Sequence, residues 1–73
     1  MQTVRIENQT YQAKEVPTTL ADNAGGIINR WLLYQGGVEV GRLVELYGSR
    51  FYRVIGKIRE VFSAEDVDFS SQR

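Results

Sequence analysis

The chain has neither cysteine nor histidine among its 73 residues. The first absence excludes disulfides and thiolate metal sites and leaves the redox compartment open. The second removes the commonest general base and the commonest metal ligand. No phosphate loop is present, since "ADNAGG" lacks the lysine and the spacing such loops need. The acidic run "SAEDVDFSS" lacks the glycine and the further ligands of a calcium loop. No catalytic residue, cofactor site or metal site is therefore expected, and the chain is not read as an enzyme. No apolar run approaches the roughly 20 residues of a membrane span, and "MQTVRIENQT" has no signal-peptide core. The expectation is a soluble, cytoplasmic protein (host cytoplasm if the source is viral) with no membrane partner.

What is present suits one small domain over residues 1–69, followed by a frayed tail at 70–73. An apolar content of 42% fits a globular chain rather than a disordered one. A domain this short buries only roughly 60% of its unfolded surface, so marginal stability or oligomerisation is expected. The net charge is zero but unevenly spread: residues 1–29 carry −1, residues 30–59 carry +4 and residues 60–73 carry −3. A basic middle before an acidic tail marks either a nucleic-acid face or two segments that neutralise each other in the fold.

The decisive stretch is "VGRLVELYGSRFYRVIGKIREVF", residues 40–62. Val40, Leu43, Val44, Tyr47, Phe51, Val54, Ile58 and Phe62 recur at helical spacings, with Gly48-Ser49 as a turn, which resembles a helix-turn-helix only loosely. Against helices, ten of these 23 residues are β-branched or aromatic, and Gly41 and Gly56 would fall inside them. A hairpin looped at Gly48-Ser49-Arg50 pairs Leu46 with Tyr52 and Val44 with Val54 on one face. On the other it pairs Glu45 with Arg53 and Leu43 with Ile55. Strands are the reading adopted.

Two further hairpins follow. Gly36-Gly37 reads as a two-residue loop that puts Leu33 opposite Val40 and Trp31 opposite Arg42, with the guanidinium stacked on the indole. A turn at Asn8-Gln9 pairs Ile6 with Tyr11 and Val4 with Ala13. Thr18 or Thr19 caps a short helix near 19–25 that Gly25-Gly26 ends. Val67 and Phe69 alternate as a last short strand. The fold class is mainly β, α+β at most: a five- to six-stranded antiparallel barrel or curled sheet of SH3-like or OB-like type. Gly41 and Gly56 would mark bends or bulges in its strands.

If Val40, Val44, Val54 and Ile58 point inward, Leu43, Tyr47, Phe51 and Ile55 form an outer apolar ladder rimmed by charge. The expected function is a non-enzymatic interaction module. It would bind a protein partner, or a second copy as a homodimer or higher oligomer, through that ladder. A competing possibility is that the chain covers the ladder itself. The alternative function is a nucleic-acid-binding barrel in which Tyr47 and Phe51 stack on bases and Arg50, Arg53, Lys57 and Arg59 meet phosphates. Glu39, Glu45 and a pI of 6.2 oppose it. A helix-turn-helix DNA binder is the third choice. With Val54 inside and Arg53 outside, Val54→Asp should unfold the chain and Arg53→Asp should be tolerated.

Overall fold

The computed structural model describes residues 1–70. In chain order it contains β1 (Gln2–Ile6), β2 (Gln9–Val16), α1 (Leu20–Ala24), β3 (Ile27–Gln35), β4 (Val38–Leu46), β5 (Arg50–Ile55) and β6 (Ile58–Ser63). A 3-10 turn, Ala64–Asp66, leads into β7 (Val67–Ser70). Residues 40–62 form strands joined by turns at 47–49 and 56–57, so the helix-turn-helix reading falls. Ser70 closes β7, and the rest of the tail expected at 70–73 lies outside the described residues.

The seven strands form one antiparallel sheet in the order β6-β5-β4-β3-β2-β1-β7. Neighbours in sequence pair from β1 to β6, and β7 returns to the free side of β1. The sheet curls into a half-barrel whose concave face holds Val4, Ile6, Tyr11, Ala13, Trp31, Leu33, Leu43, Phe51, Phe62 and Val67. Phe69 on β7 reaches across it to the opposite wall, with its ring 4.9 Å from Trp31 and 6.3 Å from Phe51. These ring separations lie in the range where aromatic pairs attract beyond simple burial. The mainly β, curled architecture is the one expected. The strand count is seven rather than five or six, partly because Gly56 sits in a two-residue turn between β5 and β6, not inside a strand.

Local chemistry explains the other turns. Gly36 and Gly37 both take positive φ, 59° and 79°, which a two-residue hairpin loop requires and glycine adopts without penalty. The first hairpin turns at Glu7-Asn8 rather than Asn8-Gln9, so Val4 faces Tyr11 and Ile6 faces Gln9. The shift is by two residues and leaves the buried set unchanged. In α1, the Thr19 hydroxyl accepts from Asp22 N while the Asp22 carboxylate accepts from Thr19 N, a reciprocal capping box. The backbone hydrogen bond from Thr19 lowers the Asp22 pKa, helped by the nearby Arg30. The cap is thus in force at neutral pH and is lost only as acid protonates Asp22 below the usual carboxylate range.

One irregularity controls the faces. On β3 and β4, Tyr34 faces Glu39 but Leu33 faces Gly41, so Val40 is an extra residue, a β-bulge. A Cβ at Gly41 would collide with the Val54 carbonyl oxygen and lie 2.9 Å from Ile55 Cγ1. Gly41→Ala is therefore expected to cost about 1–3 kcal/mol through forced displacement of β5. For a domain of this size, each kcal/mol lowers Tm by about 4–8 °C. Gly25→Ala is the control: its φ is −85° and an added Cβ would meet nothing closer than the Ala21 and Asp22 carbonyl oxygens at 3.5 Å. It should shift stability by under about 1 kcal/mol. Thermal melts of the two variants would settle this, and equal, small losses would contradict the close approach.

Candidate functional site

The bulge reverses the expected orientation of β4, β5 and β6. With Val40 unpaired, Trp31 faces Leu43 rather than Arg42, and Leu32 faces Arg42. The β4–β5 loop is Tyr47-Gly48-Ser49, so Val44 faces Tyr52, Leu43 faces Arg53 and Glu45 faces Phe51. Ser49, the last loop residue, takes the left-handed conformation at φ 59°. The grouping of residues by face survives a two-residue slip, but the inner and outer faces exchange. Leu43 is 0% exposed and Phe51 is 6% exposed, both in the core, while Tyr47 is 64% and Ile55 36% exposed. The outer ladder of these four residues is therefore corrected: two are core, and the other two lie outside it. Arg42 does not stack on Trp31, whose ring neighbours are Phe51 and Phe69.

Arg53, expected to meet phosphates, is buried on the concave side. Its guanidinium donates to Glu60 on β6 and to the Tyr11 hydroxyl on β2, and lies 3.6 Å from the Glu7 carboxylate in the β1–β2 turn. It also sits 5.0 Å over the Phe62 ring. Burial is the largest single influence and lowers its pKa, but the bond to Glu60 and the charges and hydrogen bonds of Glu60 and Tyr11 together outweigh it, and the pKa is raised. This cation engages its own chain through both terminal nitrogens, while its buried Nε has no hydrogen-bond partner among the described residues. It joins β5 and β6 to the β1–β2 hairpin across the open side of the curl. The clue in the sequence was one arginine between the apolar residues of "FYRVI". It pointed to Glu45 as partner because the register was two residues out.

The same register sorts the charges by face. Arg5, Lys14, Arg30, Arg42, Arg50 and Arg59 take convex positions on successive strands, with Glu39 and Asp68 as the acids among them. Glu45 turns inward and accepts a 2.9 Å hydrogen bond from Asn29. Glu60 is committed to Arg53. One convex row runs Lys14, Leu32, Arg42, Val54, Arg59 across five strands. The next runs Val16, Arg30, Val44, Tyr52, Val61, and the Arg59 guanidinium lies 4.5 Å from the Tyr52 ring centroid. Leu32, Glu39, Val40, Gly41, Arg42 and Val54 line a depression of about 250 Å³. Of the expected phosphate contacts, Arg50, Lys57 and Arg59 are exposed. Lys14 on β2 lies in the same row as Arg59, and Arg42 joins them only once the bulge is known.

Among the described residues, no group of three or more acidic side chains is placed to hold a metal ion. No helix among them is long and apolar enough to cross a membrane. Comparison with protein-family models, with curated proteins and with solved structures finds no match. The likeness to a small barrel therefore rests on the strand arrangement itself.

The burial of Arg53 reverses the expected mutational order. Arg53→Asp should unfold the chain, because it sets a third carboxylate beside Glu7 and Glu60 in the core. Breaking such a pair costs about 3–5 kcal/mol, comparable with the whole stability of a small domain. Val54→Asp, half-exposed between Arg42 and Arg59, should cost about 1 kcal/mol. Urea denaturation of both variants distinguishes the faces, and a more damaging Val54→Asp would restore the opposite orientation.

Proposed function

We propose that the chain is a non-enzymatic interaction module that engages a protein partner by strand addition at β6, and that the partner best supported is a second copy. The observation that carries this reading is an open sheet edge with exposed apolar side chains. Among the described residues β6 pairs only with β5, and Ile58 and Val61 are 66% and 61% exposed. Ala64 N donates to Ser49 O at 2.9 Å, which sets the phase of the β5–β6 ladder. Counting back in twos, Phe62, Glu60 and Ile58 turn their backbone groups to β5, and Val61 and Arg59 turn theirs to the open side.

Edge strands are commonly blunted by charge. On β6 both candidate charges are drawn away from the edge: Glu60 is turned inward to Arg53, and Arg59 lies over Tyr52. What remains toward a partner is unpaired backbone and Val61. A continuous sheet through a twofold axis at Val61 sets Val61 against itself, Arg59 against the second copy's Ser63, and Glu60 against its Phe62. No like charges face each other in that register. Shifting the axis to Glu60 sets two carboxylates together, which is unfavourable. Support for a non-catalytic role comes from the missing cysteine and histidine and from the commitment of Arg53, Glu60 and Glu7 to one another.

Residue 61 gives a direct test, because the chain has no other cysteine. Opposed residues in a hydrogen-bonded antiparallel pair lie about 5.5 Å apart at Cα, within disulfide range. Val61→Cys should cross-link under mild oxidation. Val38→Cys, at a valine 63% exposed at the start of β4, should not. Sedimentation of the unmodified chain should show a dimer at micromolar concentration that Val61→Lys converts to monomer with its circular dichroism unchanged. A monomer throughout, with no selective cross-link at residue 61, would refute self-pairing.

A further inference from the structure

We propose that the convex face of the sheet binds single-stranded nucleic acid along the row from Lys14 to Arg59. The inference does not rest on the β6 edge, since a monomer presents the same face. Three observations converge on it. First, charge is segregated by the pleat: six cations take convex positions against Glu39, Asp68 and Asp22 of α1. Asp22 pairs with Arg30 at 3.4 Å, which leaves five cations unpaired with it. A chain of zero net charge thereby carries a positive surface, and field follows local charge rather than the total. Second, Glu45, which opposed this reading while it was placed outside, is turned inward to Asn29. Third, cations alternate with flat apolar ground. Lys14, Arg42 and Arg59 are separated by Leu32 and Val54, so they recur at about 10 Å, two inter-strand spacings.

That alternation matches a ligand that alternates charge and ring. Phosphates meet the cations, while bases lie on Leu32, on Val54 or in the depression beside Arg42. The Arg59–Tyr52 stack orders one cation and adds a stacking surface. The face curves away from its ligand. A stiff duplex, with a persistence length of about 150 base pairs, contacts a convex face over only a short arc, whereas a single strand drapes over it. An acidic peptide supplies the charge but nothing planar for the apolar intervals.

The test is fluorescence anisotropy of the full chain with a labelled 20-nucleotide oligo(dT), against a matched duplex and polyglutamate as competitors. Contacts by Lys14, Arg42, Arg50 and Arg59 imply a log–log salt slope of about −3. Arg42→Ala with Arg59→Ala should halve that slope, and Tyr52→Ala should weaken binding about tenfold. The emission of Trp31, buried in the core, reports that each variant stays folded. Duplex and polyglutamate should compete at least tenfold less well than unlabelled oligo(dT). The proposal is overturned if oligo(dT) does not bind at 50 mM salt or if binding is insensitive to salt. It is equally overturned if the double variant binds as well as the parent, or if either competitor matches oligo(dT).

Discussion

Where β4 crosses β5, the Val54 carbonyl oxygen occupies the space that a Cβ at position 41 would fill. Only glycine lets the backbones close to this separation, and Val40 beside it is left as the extra member of the bulged pair. Because side chains alternate along a strand, one extra residue exchanges the faces of everything that follows until another irregularity intervenes. The burial of Leu43 and Phe51, the inward turn of Arg53, and the convex placement of Arg42, Tyr52 and Arg59 all descend from that exchange. The opposite phase would turn Val54 inward and leave Arg53 in solvent, whereas Val44 is buried although it takes a convex position.

A half-barrel of this length has an open side, and two interactions hold it. Near β7 the closure is aromatic, with Phe69 against Trp31 and Phe51. Near β6 it is ionic, with Arg53 reaching Glu60 and, through the β1–β2 hairpin, Glu7 and Tyr11. Desolvating a guanidinium is unfavourable, and only this arrangement of donors and acceptors offsets it. The ionic end also removes one cation from solvent and pairs an exposed acid, Glu60, with it. That leaves β6 with an apolar edge and the convex face with its excess of positive charge.

Much of this was legible from residues alone, where the signal is local. Gly36-Gly37 between alternating apolar residues specifies its hairpin, a threonine at 18 or 19 before Leu20 specifies the helix start, which the structure assigns to Thr19, and Val67 with Phe69 specifies the last strand. In the first hairpin a two-residue slip did no harm, since Val4, Ile6, Tyr11 and Ala13 stay on one face. The bulge was not legible in the same way. Gly41 announced an irregularity, but its reason is a carbonyl on β5, a neighbour that the linear pattern does not reveal. Arg53 was misplaced for a related reason, since its partners come from the β1–β2 hairpin and from β6, separated from it in sequence by different distances. The convex row needs four strand registers to be right at once, so its cations read as scattered charge until the sheet is assembled.

The register at the bulge can be observed without altering the protein, through nuclear Overhauser contacts of the Trp31 ring. A bulge at Val40 places the indole protons within reach of the Leu43 methyl groups and the Phe69 ring. Cross-peaks from the indole to the Arg42 side chain, with none to Leu43, would place Arg42 inside and contradict the assignment of faces on which the proposed binding surfaces depend.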